Sequence, residues 1–213
     1  MVRDIVIYGN PVLREKCKPV TEITDEIREL VGDMLETMIA ASGVGLAAPQ
    51  VGIPIRLAVI DVSFDPECVS FFKVNGEDAV MEDWMPLIFV NPELNLQGDR
   101  ETDTEGCLSF PEMRSEIRRP GEVKATLSIV DGETIVVETD GLLARALQHE
   151  TDHLNGVLFI DRFSTAEKIG LKRRIRLMQE EYGEVFRPDP NAEDEDEDED
   201  ENGDDKIPIR QPS

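Results

Sequence analysis

Between Asp25 and Ala41, apolar residues fall at Ile27, Leu30, Val31, Met34, Leu35, Met38 and Ile39. This is the spacing of an amphipathic helix, and Thr24 or Asp25 supplies a side-chain oxygen to cap its first turn. The pattern then shortens. Arg56–Asp61 and Leu87–Val90 are apolar runs of strand length, the second closed by Asn91-Pro92. From Val123 to Glu138 apolar and polar positions alternate about Asp131-Gly132, a strong hairpin signal. A helical pattern returns over Gly141–Leu154, with Leu142, Leu143, Ala146 and Leu147 as its apolar residues, Asp140 at the cap position and Asn155-Gly156 as the stop. Ser164 opens a last helix that runs to about Tyr182. These elements predict an α+β fold: short, mostly antiparallel strands around a central helix, plus an N-terminal helix and a C-terminal helix.

The patterning stops at Arg187-Pro-Asp-Pro190. The acidic run from Glu193 to Glu201 offers no apolar area to bury, so a single domain over 1–186 is expected to carry an acidic, disordered tail over 187–213. Residues 191–213 hold eleven acids and two bases, which contribute −9 to the net charge of −24. The rest of the chain is still acidic, and such a surface binds nucleic acid poorly in general. The N-terminal residues lack the apolar stretch of a secretory signal, and no run of about 18 apolar residues occurs, so neither export nor membrane insertion is expected. Three cysteines, Cys17, Cys68 and Cys107, are an odd count that argues for a reducing compartment over a disulfide framework.

The chemistry sits on the predicted central helix. His149 and His153, the only histidines in the chain, flank Glu150 in His-Glu-Thr-Asp-His. Residues four apart on a helix lie about 40° apart on one face, so both rings can reach one divalent ion while Glu150 acts on a water beside it. A catalytic site of this type needs a third protein ligand and an open position. The downstream glutamates Glu167, Glu180, Glu181 and Glu184 belong to a charged terminal helix. Cys107, in Glu105-Gly106-Cys107-Leu108-Ser109-Phe110-Pro111, is the better third ligand, whereas Cys17 and Cys68 read as small hydrophobes. A further segment, Gly43-Val44-Gly45-Leu46-Ala47-Ala48-Pro49-Gln50, lets backbone approach a ligand closely and ends in a carboxamide that can donate to a carbonyl oxygen. It lacks the lysine and hydroxyl of a phosphate loop.

In this order and spacing, GVGLAAPQ, EGCLS and QHETDHLNG resemble the peptide deformylase family over roughly residues 5 to 180. The resemblance implies a bacterial or organellar hydrolase that removes the formyl group from the N-terminal formyl-methionine of new polypeptides; with no transit peptide visible, bacterial cytoplasm is the better choice. It assigns Cys107, His149 and His153 to the metal, with Fe(II) the native ion and Zn, Ni or Co possible in purified protein. Gln50 and the Leu108 N–H become oxyanion donors, and Glu150 becomes the proton carrier. The peptide is expected as an added strand between Gly43–Gly45 and the Gly106 segment, with the methionine side chain near Val44, Leu142 and Ala146. Arg145 is expected to point out at the rim of that pocket rather than to alter its side-chain preference.

On the last helix, Lys168, Lys172, Arg173, Arg174 and Arg176 form either a solvated face paired with Glu180 and Glu181 or a transient ribosome contact. The rival chemistries are a zinc endopeptidase that uses a downstream glutamate and a catalytically silent metal binder.

Overall fold

In the computed structural model, which describes residues 1–64, 68–130 and 132–189, the first apolar stripe becomes helix α1, Asp25–Ala40. Thr24 caps it, its hydroxyl accepting from the Ile27 N–H at 3.4 Å. Leu30, Val31, Met34 and Met38 are buried in one apolar cluster with Leu46, Leu57 and Val59. Ile39 belongs to the stripe by spacing but is 70% exposed, because it lies off the packed face.

Two sheets follow. β1 (Ile5–Val6) pairs with β9 (Val185–Phe186), which ties the two ends of the described chain together. The larger sheet has the order β2 (Gly45–Ala47), β3 (Leu57–Ile60), β6 (Leu87–Cys107), β7 (Phe110–Ile129), β8 (Thr134–Asp140), β4 (Phe72–Val74), β5 (Glu77–Asp78), with every neighbouring pair antiparallel. The predicted hairpin is the β7–β8 pair, in register from Glu122↔Asp140 to Ser128↔Thr134. Asp131, the first residue of its turn signal, lies outside the described residues.

Asn91-Pro92 does not end its strand. β6 continues to Cys107 across a bulge between Val90 and Glu93, where Pro92 interrupts the ladder. Asn91 takes a left-handed conformation at φ 50°. Its side chain holds the kink in place, accepting from the Val20 N–H at 3.0 Å and donating to the Val20 carbonyl at 2.7 Å.

Helix α2 (Gly141–Leu154) packs on the sheet through Leu143, Ala144 and Leu147, which share a core with Ile60, Phe89 and Leu127. Each fully buried leucine contributes about 1.5–3 kcal/mol. Asp140 occupies the cap position but does not cap. Its carboxylate accepts from the Ser70 N–H at 2.7 Å and the Phe71 N–H at 3.3 Å, pinning the Cys68–Trp84 segment to the start of the helix. That segment supplies β4 and β5 and so extends the sheet beyond β8. Gly141 permits the approach: a Cβ there would lie 1.9 Å from the Cys68 carbonyl oxygen. α2 ends as predicted, with Gly156 at φ 72°.

Helix α3 (Thr165–Tyr182) buries Leu171 and Met178 with Phe159 and Phe163. Arg187 pairs with Asp4, with Nη2 2.7 Å from Oδ2. The tail expected over 187–213 falls, from residue 190 on, outside the described residues.

Candidate active site

The functional side chains come from three elements that meet under α2. The helix presents His149, Glu150 and His153 on the face turned toward the end of β6, where Cys107 sits at the turn into β7. Cys107 Sγ lies 3.3 Å from His153 Nε2. The donor atoms of Cys107, His149 and His153 all lie within 4.8 Å of one another, and they form the one such trio of potential ligands found among the described residues. Glu180, Glu181 and Glu184 are exposed on and beyond α3 and take no part in it. The side chain of Glu167 lies outside the described residues.

Glu105 sets the orientation of the first imidazole. Its Oε2 is 3.1 Å from His149 Nδ1, which leaves Nε2 for the ligand side. Glu105 is in turn gripped by Arg119, at 2.6 and 3.0 Å, and by Arg145 at 2.7 Å. Arg119 reaches on to Asp152 at 2.8 Å. Burial opposes the Glu105 charge, but the bonds to His149 and Arg119 outweigh it and hold the carboxyl well below its usual range. For His149, burial likewise opposes the charge, and contacts with Cys107 and Glu105 outweigh it and raise the pKa. Burial and the neighbouring His149 keep His153 neutral. Positive charge is thus stabilised among a sulfur, an imidazole and a carboxylate, where a divalent cation fits.

Glu150 is buried, and its Oε2 has no hydrogen-bond partner among the described residues. Burial pushes its carboxyl up to about 7, despite the opposing pull of His149. A carboxyl near 7 can both take and give a proton at neutral pH. Gln50 is 1% exposed and locked: its Oε1 accepts from the Ala47 N–H at 2.9 Å. Its Nε2 therefore points inward, 3.7 Å from Cys107 Sγ and 3.3 Å from the Ser109 hydroxyl. A donor held this way is aimed before substrate arrives.

These groups open onto a cavity of about 840 Å³, with Gly43, Val44, Gly45, Leu108, Leu142 and Ala146 in its wall. Two of the glycines are crowded by opposing side chains, which a Cβ would displace. A Cβ on Gly45 would lie 2.5 Å from Glu150 Oε1, and one on Gly43 would lie 2.8 Å from Leu108 Cδ1. Gly106 has no such crowding, its nearest neighbour being 3.7 Å away. Arg145 stands in the wall of the cavity but does not point out at its rim. Its side chain is 10% exposed, and its guanidinium turns to Glu105 and to the Ile117 carbonyl at 3.0 Å.

Residues 2–169 match the family model described as polypeptide deformylase. The chain belongs to the polypeptide deformylase family. A peptide deformylase of Methylacidiphilum infernorum is 43% identical over 175 residues, covering 82% of this chain and 92% of the relative. One from Acidobacterium capsulatum is 44% identical over 179 residues, covering 84% and 96%. Among solved structures, a peptide deformylase from Synechococcus elongatus in complex with actinonin matches with TM-score 0.67 and 37% identity, over 84% of this chain and 85% of that one. The deformylase from Thermotoga maritima matches with TM-score 0.65 and 41% identity, over 77% and 99%. The activity of the family is therefore that of this chain: metal-dependent hydrolysis that removes the N-terminal formyl group.

Three functional groups were not legible as such in the sequence. Glu105 stands in the EGCLS string, and Asp152 inside the His-Glu-Thr-Asp-His string, yet neither position announces its partner. Arg119 is brought to Glu105 by the pairing of β6 with β7, in which Glu101 faces Arg119. An acid beside a ligand motif, with an arginine on the partner strand, was the available signal.

Proposed function

We propose that Cys107, His149 and His153 hold one divalent ion, that Glu150 carries protons, and that Gln50 and the Leu108 N–H meet the oxyanion. The observation that carries this reading is the buried Glu150 Oε2 without a partner, beside a trio of clustered ligand atoms. A divalent ion held there would lower the pKa of a water from 15.7 toward ~7. Glu150 then accepts the proton of the attacking water and delivers it to the leaving amine. Gln50 Nε2 and the Leu108 N–H donate to the formyl oxygen as negative charge grows on it.

The substrate backbone adds to the open side of β2, which among the described residues pairs only with β3 and stands at the end of the sheet order. Backbone pairing of this kind ignores side chains, which suits an enzyme that must process many different nascent peptides. Gly43–Gly45 and Gly106 bound the strand on its two sides, and the methionine side chain occupies the apolar wall of Val44, Leu142 and Ala146. A thiolate with two imidazoles suits Fe(II), with Zn, Ni and Co as substitutes. Residues 1–186 form the catalytic domain and 187–213 the acidic tail.

The compartment we infer is bacterial cytoplasm, supported by the bacterial relatives and by the absence, among the described residues, of a helix long and apolar enough to cross a membrane. Lys168, Lys172, Arg173, Arg174 and Arg176 are exposed on α3, with Arg176 3.3 Å from Glu180, and they offer a transient contact with ribosomal RNA. Salt-dependent co-sedimentation with ribosomes checks that contact.

The ligand set has a direct test. Cys107→Ala protein should lose bound metal on dialysis. Stoichiometric metal in that variant would instead favour the endopeptidase reading, in which a glutamate replaces the sulfur.

A further inference from the structure

Along the flank of α2 that carries Gln148, Thr151, Asp152 and Asn155, a second cavity of about 280 Å³ is walled by five arginines: Arg56, Arg100, Arg118, Arg119 and Arg162. Asp152 is the single acid in its wall. In a chain of net charge −24, such a concentration of guanidinium groups is a marked departure.

Three of the five are already committed. Arg56 donates to the Asn155 carboxamide oxygen at 2.9 Å and to the Pro92 carbonyl at 3.0 Å. Arg119 spans Glu105 and Asp152, and Arg162 Nε lies 3.0 Å from Asp152. The Asp152 carboxylate is thus shared between two guanidinium groups and leaves the pocket strongly cationic. The side chains of Arg100 and Arg118 make no hydrogen bond or ion pair with any described residue. They stand on neighbouring strands, since Arg100 faces Pro120 and Thr102 faces Arg118, and so they project from the same side of the β6–β7 ribbon. Thr151 also lines the cavity, and its hydroxyl is buried without a partner among the described residues.

Arg100 and Arg118 are both exposed, so water screens their mutual repulsion, and no described carboxylate pairs with either guanidinium group. Their planar forks match phosphate oxygens two at a time. The concave shape and small volume favour a compact ligand over an extended polymer backbone. We propose that this pocket binds the phosphate group of a small, free molecule, with Arg100 and Arg118 as its principal donors. The site is distinct from the metal centre, though the two share Arg119: one edge of that guanidinium serves Glu105, and the same side chain lines the anion pocket.

The test is calorimetric titration of inorganic phosphate into the full-length, metal-loaded protein at constant ionic strength set with chloride. Saturable uptake at one site is expected, weakened at least ~10-fold in an Arg100→Gln/Arg118→Gln double variant, because the two guanidinium groups supply the charge-assisted hydrogen bonds to the anion. Formate release by that variant should be unchanged, which also shows that it folds and holds metal. A Lys172→Gln/Arg173→Gln variant should bind phosphate like the parent. Absence of saturable binding, or equal binding by the double variant, would overturn the proposal. So would a single-stranded oligoribonucleotide that binds through the two arginines where phosphate does not.

Discussion

Glu105 Oε2 stands 3.1 Å from His149 Nδ1, and this contact decides which nitrogen of the imidazole faces Cys107 and His153. The carboxylate is itself immobilised by Arg119 and Arg145, so the orientation of the ring is inherited from the β6–β7 ribbon rather than from α2 alone. Glu105→Gln should therefore weaken metal binding by ~10–100-fold, the usual scale for a lost carboxylate behind a histidine ligand. Competition with a metal chelator checks this.

The same carboxylate links stability to pH. Its pKa in the fold is depressed below the unfolded value of ~4.3. The stability it contributes is therefore fully present above that pH and is lost as pH falls through the lower folded value. Glu105→Gln should lower the melting temperature at neutral pH, since breaking a buried ion network costs about 3–5 kcal/mol. It should also flatten the acid side of the stability curve. Thermal melts of both proteins from neutral pH down to acid provide the comparison, and parallel acid limbs would remove Glu105 from this role.

Glu150→Ala should retain metal and lose at least ~10²-fold in rate, as expected for a removed proton carrier. Gly45→Ala tests the same group by steric means, because its Cβ would lie 2.5 Å from Glu150 Oε1. It should keep metal and fold while losing turnover. Near-normal rates in both variants would exclude Glu150 from proton transfer.

Gln50→Ala removes the donor that the Ala47 N–H holds in place, and kcat should fall by ~10²–10³-fold. An unchanged kcat with a raised KM would make Gln50 a binding group only.

Periodicity carried the main elements well. The stripe from Ile27 to Met38, the alternation around the β7–β8 hairpin and the Asn155-Gly156 stop each correspond to an observed element or boundary. These are local signals, set by neighbouring residues. The reading went astray where a distant partner competes. Asn91-Pro92 looks like a strand end, but Val20 supplies the hydrogen bonds that stabilise a bulge. Asp140 looks like a cap, but Ser70 and Phe71 take its carboxylate. Arg145 looks like a rim residue, but Glu105, forty positions earlier, draws it inside. The candidate site was legible because its ligands and donors lie in short strings. The network behind it was not, because strand register assembles it.

We propose that this chain hydrolyses an N-terminal formyl group with the Cys107, His149 and His153 centre. The most direct measurement is formate release from formyl-Met-Ala-Ser by anaerobically prepared, metal-loaded protein, with acetyl-Met-Ala-Ser and Cys107→Ala protein alongside. Stoichiometric formate is expected from the formyl peptide, none from the acetyl peptide, and loss of both metal and activity in the variant. Cleavage of an internal peptide bond without formate release, or full activity in Cys107→Ala protein, would contradict it.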